Sequence, residues 1–349
     1  MAVDALLDAL DRLRGTGAEF DGFLANHGPM AAEALVHLDG APAVPGWVDR
    51  YRTRLDAAPG VVRGIGPGEW REHLGDARLA GDWTALLRRE ARERPWPDLL
   101  ARWWERLLPG MAASAVHGMI RTAHAVRALR AAGPDPHPLL VDELAQGLAL
   151  WAARHQTVPG APRLDGPDGA VDALRGLPRL DPAVPSPGPG VSGRLGALGG
   201  LDGLPAALDR WGAPDGPNAA LDDLVAAASR VLAARADAPI AFCHAVTGPA
   251  AVRLVLPALP GPLHRPTVGV TWQVVGAIIA AFGAPRLPAE AAPAPADPAP
   301  LLARLPGAAV EHGDEHVVKL TEAALREHAR TGDPTVLVAA DRFRGRVGG

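Results

Sequence analysis

Lysine is almost missing from this chain: of its 35 lysines and arginines only Lys319 is a lysine. Arginine holds every other position where a fixed positive charge is enough, because its guanidinium stays protonated at any physiological pH. Position 319 therefore points to chemistry that needs an amine able to lose its proton, such as attack on a carbonyl or uptake of carbon dioxide to form a carbamate. The competing explanation is compositional drift towards arginine with one lysine left over. Cysteine is equally scarce. The single Cys243 excludes an internal disulfide and any thiolate-rich zinc site.

Charge of one sign is also lacking. A net charge of -4 and a pI near 6.3 give no general field for nucleic acid or anionic lipid, so neither nucleic acid nor membrane is expected as a partner. The first residues, Met1 to Leu13, interrupt their leucines with Asp4, Asp8, Asp11 and Arg12 and lack the apolar core of a signal peptide. The longest uncharged apolar run, Val268 to Ala284, contains Thr271 and Gln273 and is shorter than the ~20 residues of a bilayer span. A cytoplasmic protein with a buried apolar helix is expected.

What the chain has is helical periodicity. Apolar residues recur at three and four positions, with no stretch of strict alternation, so the fold class is all-α. Helices are expected at about 3 to 14, from Asn26 with Pro29 in its first turn, and at 82 to 93, 97 to 108, 111 to 132, 139 to 155, 220 to 236, 240 to 259, 268 to 282, 315 to 330 and 334 to 343. Residues 156 to 217 hold 24 glycines and prolines in 62 positions, too many for a continuous helix, and suggest a surface loop or lid. Residues 285 to 300 alternate alanine and proline as a semi-rigid linker inside one domain spanning 1 to 349. No repeat of solenoid length occurs. The glycines of Gly64-Ile65-Gly66-Pro67-Gly68 lack the spacing and βαβ context of a dinucleotide fingerprint, so no tightly bound nicotinamide or flavin is expected.

The histidines carry the chemistry. His117, Arg121 and His124 are spaced i, i+4 and i+7, within a wedge of about 60° on a face shared with Ala113 and Ile120. Polar groups on a core face need partners, which a metal or local carbonyls can supply. His27 lies at a helix start, where the dipole disfavours the imidazolium and keeps the ring neutral, as a metal ligand requires. Capping is the plainer explanation. His244 sits in an apolar helix with Thr247 one turn away as a supporting partner.

His316 and Lys319 are neighbours on one helix face. Val317, Val318 and Leu320 around them suggest burial, which would lower the lysine pKa and favour a carbamate, an oxygen ligand on a long arm. The alternative is a Lys319–Glu322 salt bridge. Arg121 is a candidate to pair with a phenolate or a reduced oxygen anion, or else with a buried acid. Of the nine tryptophans, Trp103, Trp104 and Trp272 are candidates to stack on an aromatic substrate, with core packing as their ordinary role.

Four segments in order, Asn26-His27-Gly28-Pro29, His117-Gly118-Met119-Ile120-Arg121-Thr122-Ala123-His124, His244-Ala245-Val246-Thr247-Gly248 and His316-Val317-Val318-Lys319, resemble the questin oxidase-like family. The resemblance extends over nearly the whole chain. It implies oxidative cleavage of an aromatic or quinone polyketide with O2, and a single iron held by four histidines and a carboxylated lysine. Carried over, the ligands come from His27, His117, His124, His244, His316 and Lys319, with Arg121 and Lys319 as catalytic candidates. His117 and His124 are about 10.5 Å apart along a helix axis, which makes His124 the one to support a ligand from behind. Nitrogen and oxygen donors suit Fe(II), Mn or Zn, and oxygen chemistry favours iron. NADPH is implied only as an external reductant.

Three alternatives stand beside this reading. One is a metal-free, NADPH-linked oxidase of Baeyer-Villiger type in the same family; another is a non-catalytic helical binding protein. A histidine-aspartate phosphohydrolase would need an adjacent His-Asp pair, and the sequence has none.

Overall fold

The computed structural model describes residues 2–66, 68–283 and 295–348, and the described residues are overwhelmingly helical. They divide into two compact units, Met1–Thr157 with Leu254–Leu263, and Val158–Arg253 with His264–Gly349.

The first unit contains α1 (Ala2–Leu13), a short antiparallel hairpin of β1 (Glu19–Phe20) and β2 (Leu24–Ala25), α2 (Gly28–His37), α3 (Val44–Tyr51), α4 (Ala80–Glu93), α5 (Trp96–Leu107), α6 (His117–Ala132) and α7 (Pro138–Ala153). Leu6, Leu10 and Leu13 make the buried stripe of α1, as their spacing requires. The hairpin was not expected, because four residues are too few to show alternation. Helices α6 and α7 meet at small residues. A Cβ on Gly118 would lie 2.6 Å from Trp151 Cα, and one on Gly147 would lie 2.9 Å from the Thr122 nitrogen, so only glycine lets the two backbones approach this closely.

The second unit contains α8 (Ala170–Gly176), α9 (Gly190–Gly196), α10 (Leu204–Leu208), α11 (Pro217–Ala234), α12 (Pro239–Val255), α13 (His264–Phe282), α14 (Ala299–His312), α15 (Glu315–Thr331) and α16 (Thr335–Arg344). Helix α11 packs on α13 and α16, and α15 packs on α14 and α16. The glycine- and proline-rich stretch 156 to 217 has no long helix, as its breakers dictate. It folds into α8, α9 and α10, whose Ala173, Leu174, Leu195, Leu204 and Leu208 are buried, so it builds core rather than only covering it. Of the expected linker, 285–294 lies outside the described residues. Asp297 accepts the Ala299 N–H at 2.9 Å and starts α14.

Pro239–Ala258 alone among the described residues is long and apolar enough to cross a membrane, and most of it is buried as in a core helix. Trp103, Trp104 and Trp272 are fully buried. Their indole nitrogens or rings are engaged inside the protein: Trp103 with Glu90 at 2.9 Å, Trp272 with the Leu208 carbonyl at 2.8 Å, and Trp104 edge-on to Trp151.

Candidate metal centre

His27 and His117 come together within the first unit. Their ring centroids are 4.3 Å apart, their candidate ligand nitrogens lie within 4.8 Å of each other, and both residues are buried. His27 is itself the residue before α2, a place the sequence had suggested for Asn26. Asn26 acts one position earlier. Its Oδ1 accepts the Gly28 N–H at 2.9 Å, while its Nδ2 donates to the Thr16 hydroxyl and the Gly17 carbonyl. The His27 N–H donates to the Tyr51 hydroxyl at 2.8 Å, and Tyr51 in turn stacks on Trp47 with centroids 4.8 Å apart.

His117 opens α6, which begins six residues later than the expected Met111. The reason is backbone conformation: Ser114, Ala115 and Val116 all have positive φ, at 48°, 54° and 65°. Such a run of non-glycine residues is costly, above all at β-branched valine. Ala113 therefore shares no helix face with His117. The turn brings the Ser114 carbonyl under His117 Nδ1. A carbonyl can only accept, so Nδ1 carries the hydrogen and the lone pair sits on Nε2, the tautomer a metal ligand needs.

His244 on α12 and His316 on α15 come together within the second unit, edge to face with centroids 5.6 Å apart. Asp314 caps α15 by accepting the His316 and Val317 N–H groups at 2.9 and 3.0 Å, and its carboxylate lies 3.7 Å from His316 Nδ1. Asp314, Glu315 and His316 also gather their candidate ligand atoms within 4.8 Å. The Thr247 hydroxyl, one turn from His244, donates to the Cys243 carbonyl at 3.0 Å, one turn back on its own helix.

Lys319 is 3% exposed and forms no ion pair with a described residue. Glu322, its expected alternative partner, binds Arg326 instead at 3.1 Å. Burial lowers the Lys319 pKa to about 8, against the pull of the Glu315 and Asp314 carboxylates. At pH 7.5 roughly a quarter of the amine is then neutral. Burial also pushes the Cys243 thiol up to about 12, so it offers no thiolate.

Two candidates are held by other partners. His124 Nδ1 donates to Glu33 at 2.8 Å, and the same buried carboxylate takes the Arg127 guanidinium and lies 3.2 Å from His37 Nε2. Arg121 is fully buried and binds Glu143 through two hydrogen bonds, at 2.6 and 2.8 Å, with Gln146 at 3.2 Å. Its charge is thus matched by a buried acid, the second of the two roles its position suggested.

The family model described as questin oxidase-like matches residues 49–324. This chain belongs to the questin oxidase-like family. Membership points to an oxidoreductase acting on a small aromatic molecule. No curated protein matches the chain. The family match includes His117, Arg121, His124, His244, His316 and Lys319; His27 lies before it.

For this questin oxidase-like chain, His27, His117 and His244 are buried and His316 is half-buried, and His117 shows the tautomer a metal needs. Sequence reasoning missed Tyr51, Ser114, Glu33 and Asp314, the residues that orient or charge-balance the histidines. Asp314 alone carried a local signal, an aspartate immediately before a helical run.

Proposed function

We propose that this protein is an O2-dependent oxidoreductase that oxidises or cleaves an aromatic or quinone polyketide, using a bound metal ion, iron before manganese or zinc. His27, His117, His244, His316 and Lys319 are the residues to hold it. The donor set fits such an ion: three buried imidazoles and the half-buried His316, an amine depressed towards neutrality and a protonated thiol that leaves only nitrogen and oxygen donors. When bound, iron or manganese would supply one-electron exchange with dioxygen.

The observation that carries this reading is Lys319, buried without an ion pair among the described residues and one helical turn from His316. Its neutral Nζ adds carbon dioxide, forming an N–C bond and releasing one proton, and the resulting carbamate is an anionic oxygen donor that arginine cannot provide. Ser114 keeps the His117 hydrogen on Nδ1. Tyr51 and Asn26 fix the backbone on either side of His27. Glu33 holds His124 and Glu143 holds Arg121 on α6, the helix that His117 opens.

Elemental analysis after expression with iron, manganese or zinc tests the reading. About one metal per chain is expected, lost in His117→Ala, His316→Ala and Lys319→Ala, with short carboxylates restoring metal and O2 uptake on hydroxylated anthraquinones to Lys319→Ala. Wild-type protein that takes up none of the three metals, or variants that all retain theirs, would refute it.

A further inference from the structure

Away from the histidines, in the first unit, two arginines approach a single carboxylate and two more lie over the indoles beside it. Arg94 and Arg102 each bring Nε to 3.7 Å from Glu90, too far for a hydrogen bond, and the same Glu90 oxygen accepts the Trp103 indole N–H at 2.9 Å. Arg71 lies over the Trp70 ring at 4.3 Å. Arg106 lies over Trp70 at 4.6 Å and over Trp103 at 4.7 Å. The two indoles meet edge to face, 5.7 Å apart, so all four guanidiniums belong to one patch.

Stacking uses the face of a guanidinium and leaves its five N–H donors in the plane of the group. Two of those nitrogens, Arg94 Nε and Arg106 Nη1, are buried with no hydrogen-bond partner among the described residues. Burial, and then the neighbouring Arg102, Arg71 and Arg94 charges, lower the Arg106 pKa against the pull of Glu90. Arg94 and Arg106 sit at the C-terminal ends of α4 and α5, where a helix dipole welcomes a cation. Arg71 and Arg102 have no such excuse and are exposed.

We propose that Arg71, Arg94, Arg102 and Arg106 form a binding site for the phosphate group of a small phosphorylated ligand. Among the described residues Glu90 is the only carboxylate in an ion pair with any of the four guanidiniums, which leaves a charge that a multiply charged tetrahedral oxyanion matches, and such an anion accepts in-plane N–H donors from several directions. Trp70 and Trp103 are already covered by Arg71 and Arg106, so the site reads phosphate charge rather than an aromatic ring. The inference is independent of the metal reading.

Thermal shift and 31P NMR titrations of the full chain with inorganic phosphate, pyrophosphate and ADP, at ionic strength fixed by chloride, test it. A saturable rise in Tm with phosphate or pyrophosphate is expected, with affinity falling roughly tenfold for each arginine replaced in Arg102→Gln and Arg106→Gln. ADP binding tighter than pyrophosphate would identify a nucleotide; equal binding would identify the phosphates alone. Arg102 is exposed, so Arg102→Gln keeps the fold even if Arg106→Gln does not. No saturable shift beyond chloride, or an unchanged affinity in Arg102→Gln, would overturn the proposal.

Discussion

Replacing Lys319 by methionine should make the metal-free protein more stable, not less. The native state holds the amine at a pKa of about 8 where an unfolded lysine titrates near 10.5. Each unit is worth about 1.4 kcal/mol, so burying this group costs about 3 kcal/mol. Below pH 8 both states carry the proton and the cost is present in full. Between 8 and 10.5 the native amine is already neutral while the unfolded one is still charged, so stability rises with pH and the cost fades. Methionine has a similar length and no charge. In urea unfolding of chelator-treated, carbon dioxide-free protein, Lys319→Met should gain about 3 kcal/mol at pH 7 and much less near pH 10.5. Equal or lower stability at pH 7, or a gain that does not shrink with pH, would refute the burial argument.

Glu33→Gln should cost about 3 kcal/mol, because it leaves the Arg127 guanidinium buried without its anion. Burial raises the Glu33 pKa, but Arg127, His124 and His37 outweigh it and hold the carboxyl well below 4.5. Its contribution is present above that pH and lost as pH falls towards the native pKa, so acid titration of Glu33→Gln should show a flatter loss below pH 4.5. Gly118→Ala drives a Cβ to 2.6 Å from Trp151 Cα and should lower stability by about 2 kcal/mol or more, read from Tm. Ala115→Gly should do the reverse and stabilise by about 1 kcal/mol, since residue 115 has φ of 54°; a loss in chemical denaturation would contradict the strain assigned to that turn.

The helices that organise the site were legible because periodic apolar residues report directly on a buried face: α7, α12, α13 and α15 lie within a few residues of their expected bounds. Burial of Lys319 was legible for the same reason, from Val317, Val318 and Leu320. The start of α6 was not. Left-handed backbone at Ser114, Ala115 and Val116 has no signature in residues that ordinarily avoid it. Nor could spacing reveal Tyr51 on the His27 amide or Glu33 on His124, 24 and 91 positions away. Such contacts are set by how helices pack, and a local pattern contains no information about them.

What sets the candidate site apart is where the protein breaks its own local rules. Three consecutive left-handed residues, at about 1–2 kcal/mol each, lead into His117. A buried amine costing about 3 kcal/mol lies one turn from His316. Against a net stability of about 5–15 kcal/mol, costs of this size persist only where the surrounding structure enforces them, and they gather at functional sites. Neither feature improves packing, since Ala115→Gly and Lys319→Met are both expected to stabilise the fold. Both are explained if the native state binds something that needs a fixed imidazole tautomer and an amine that can become a carbamate. A ligand of that kind offsets the strain by binding the native state alone. Removing it should therefore lower the Tm of the wild-type protein and leave that of Lys319→Met nearly unmoved.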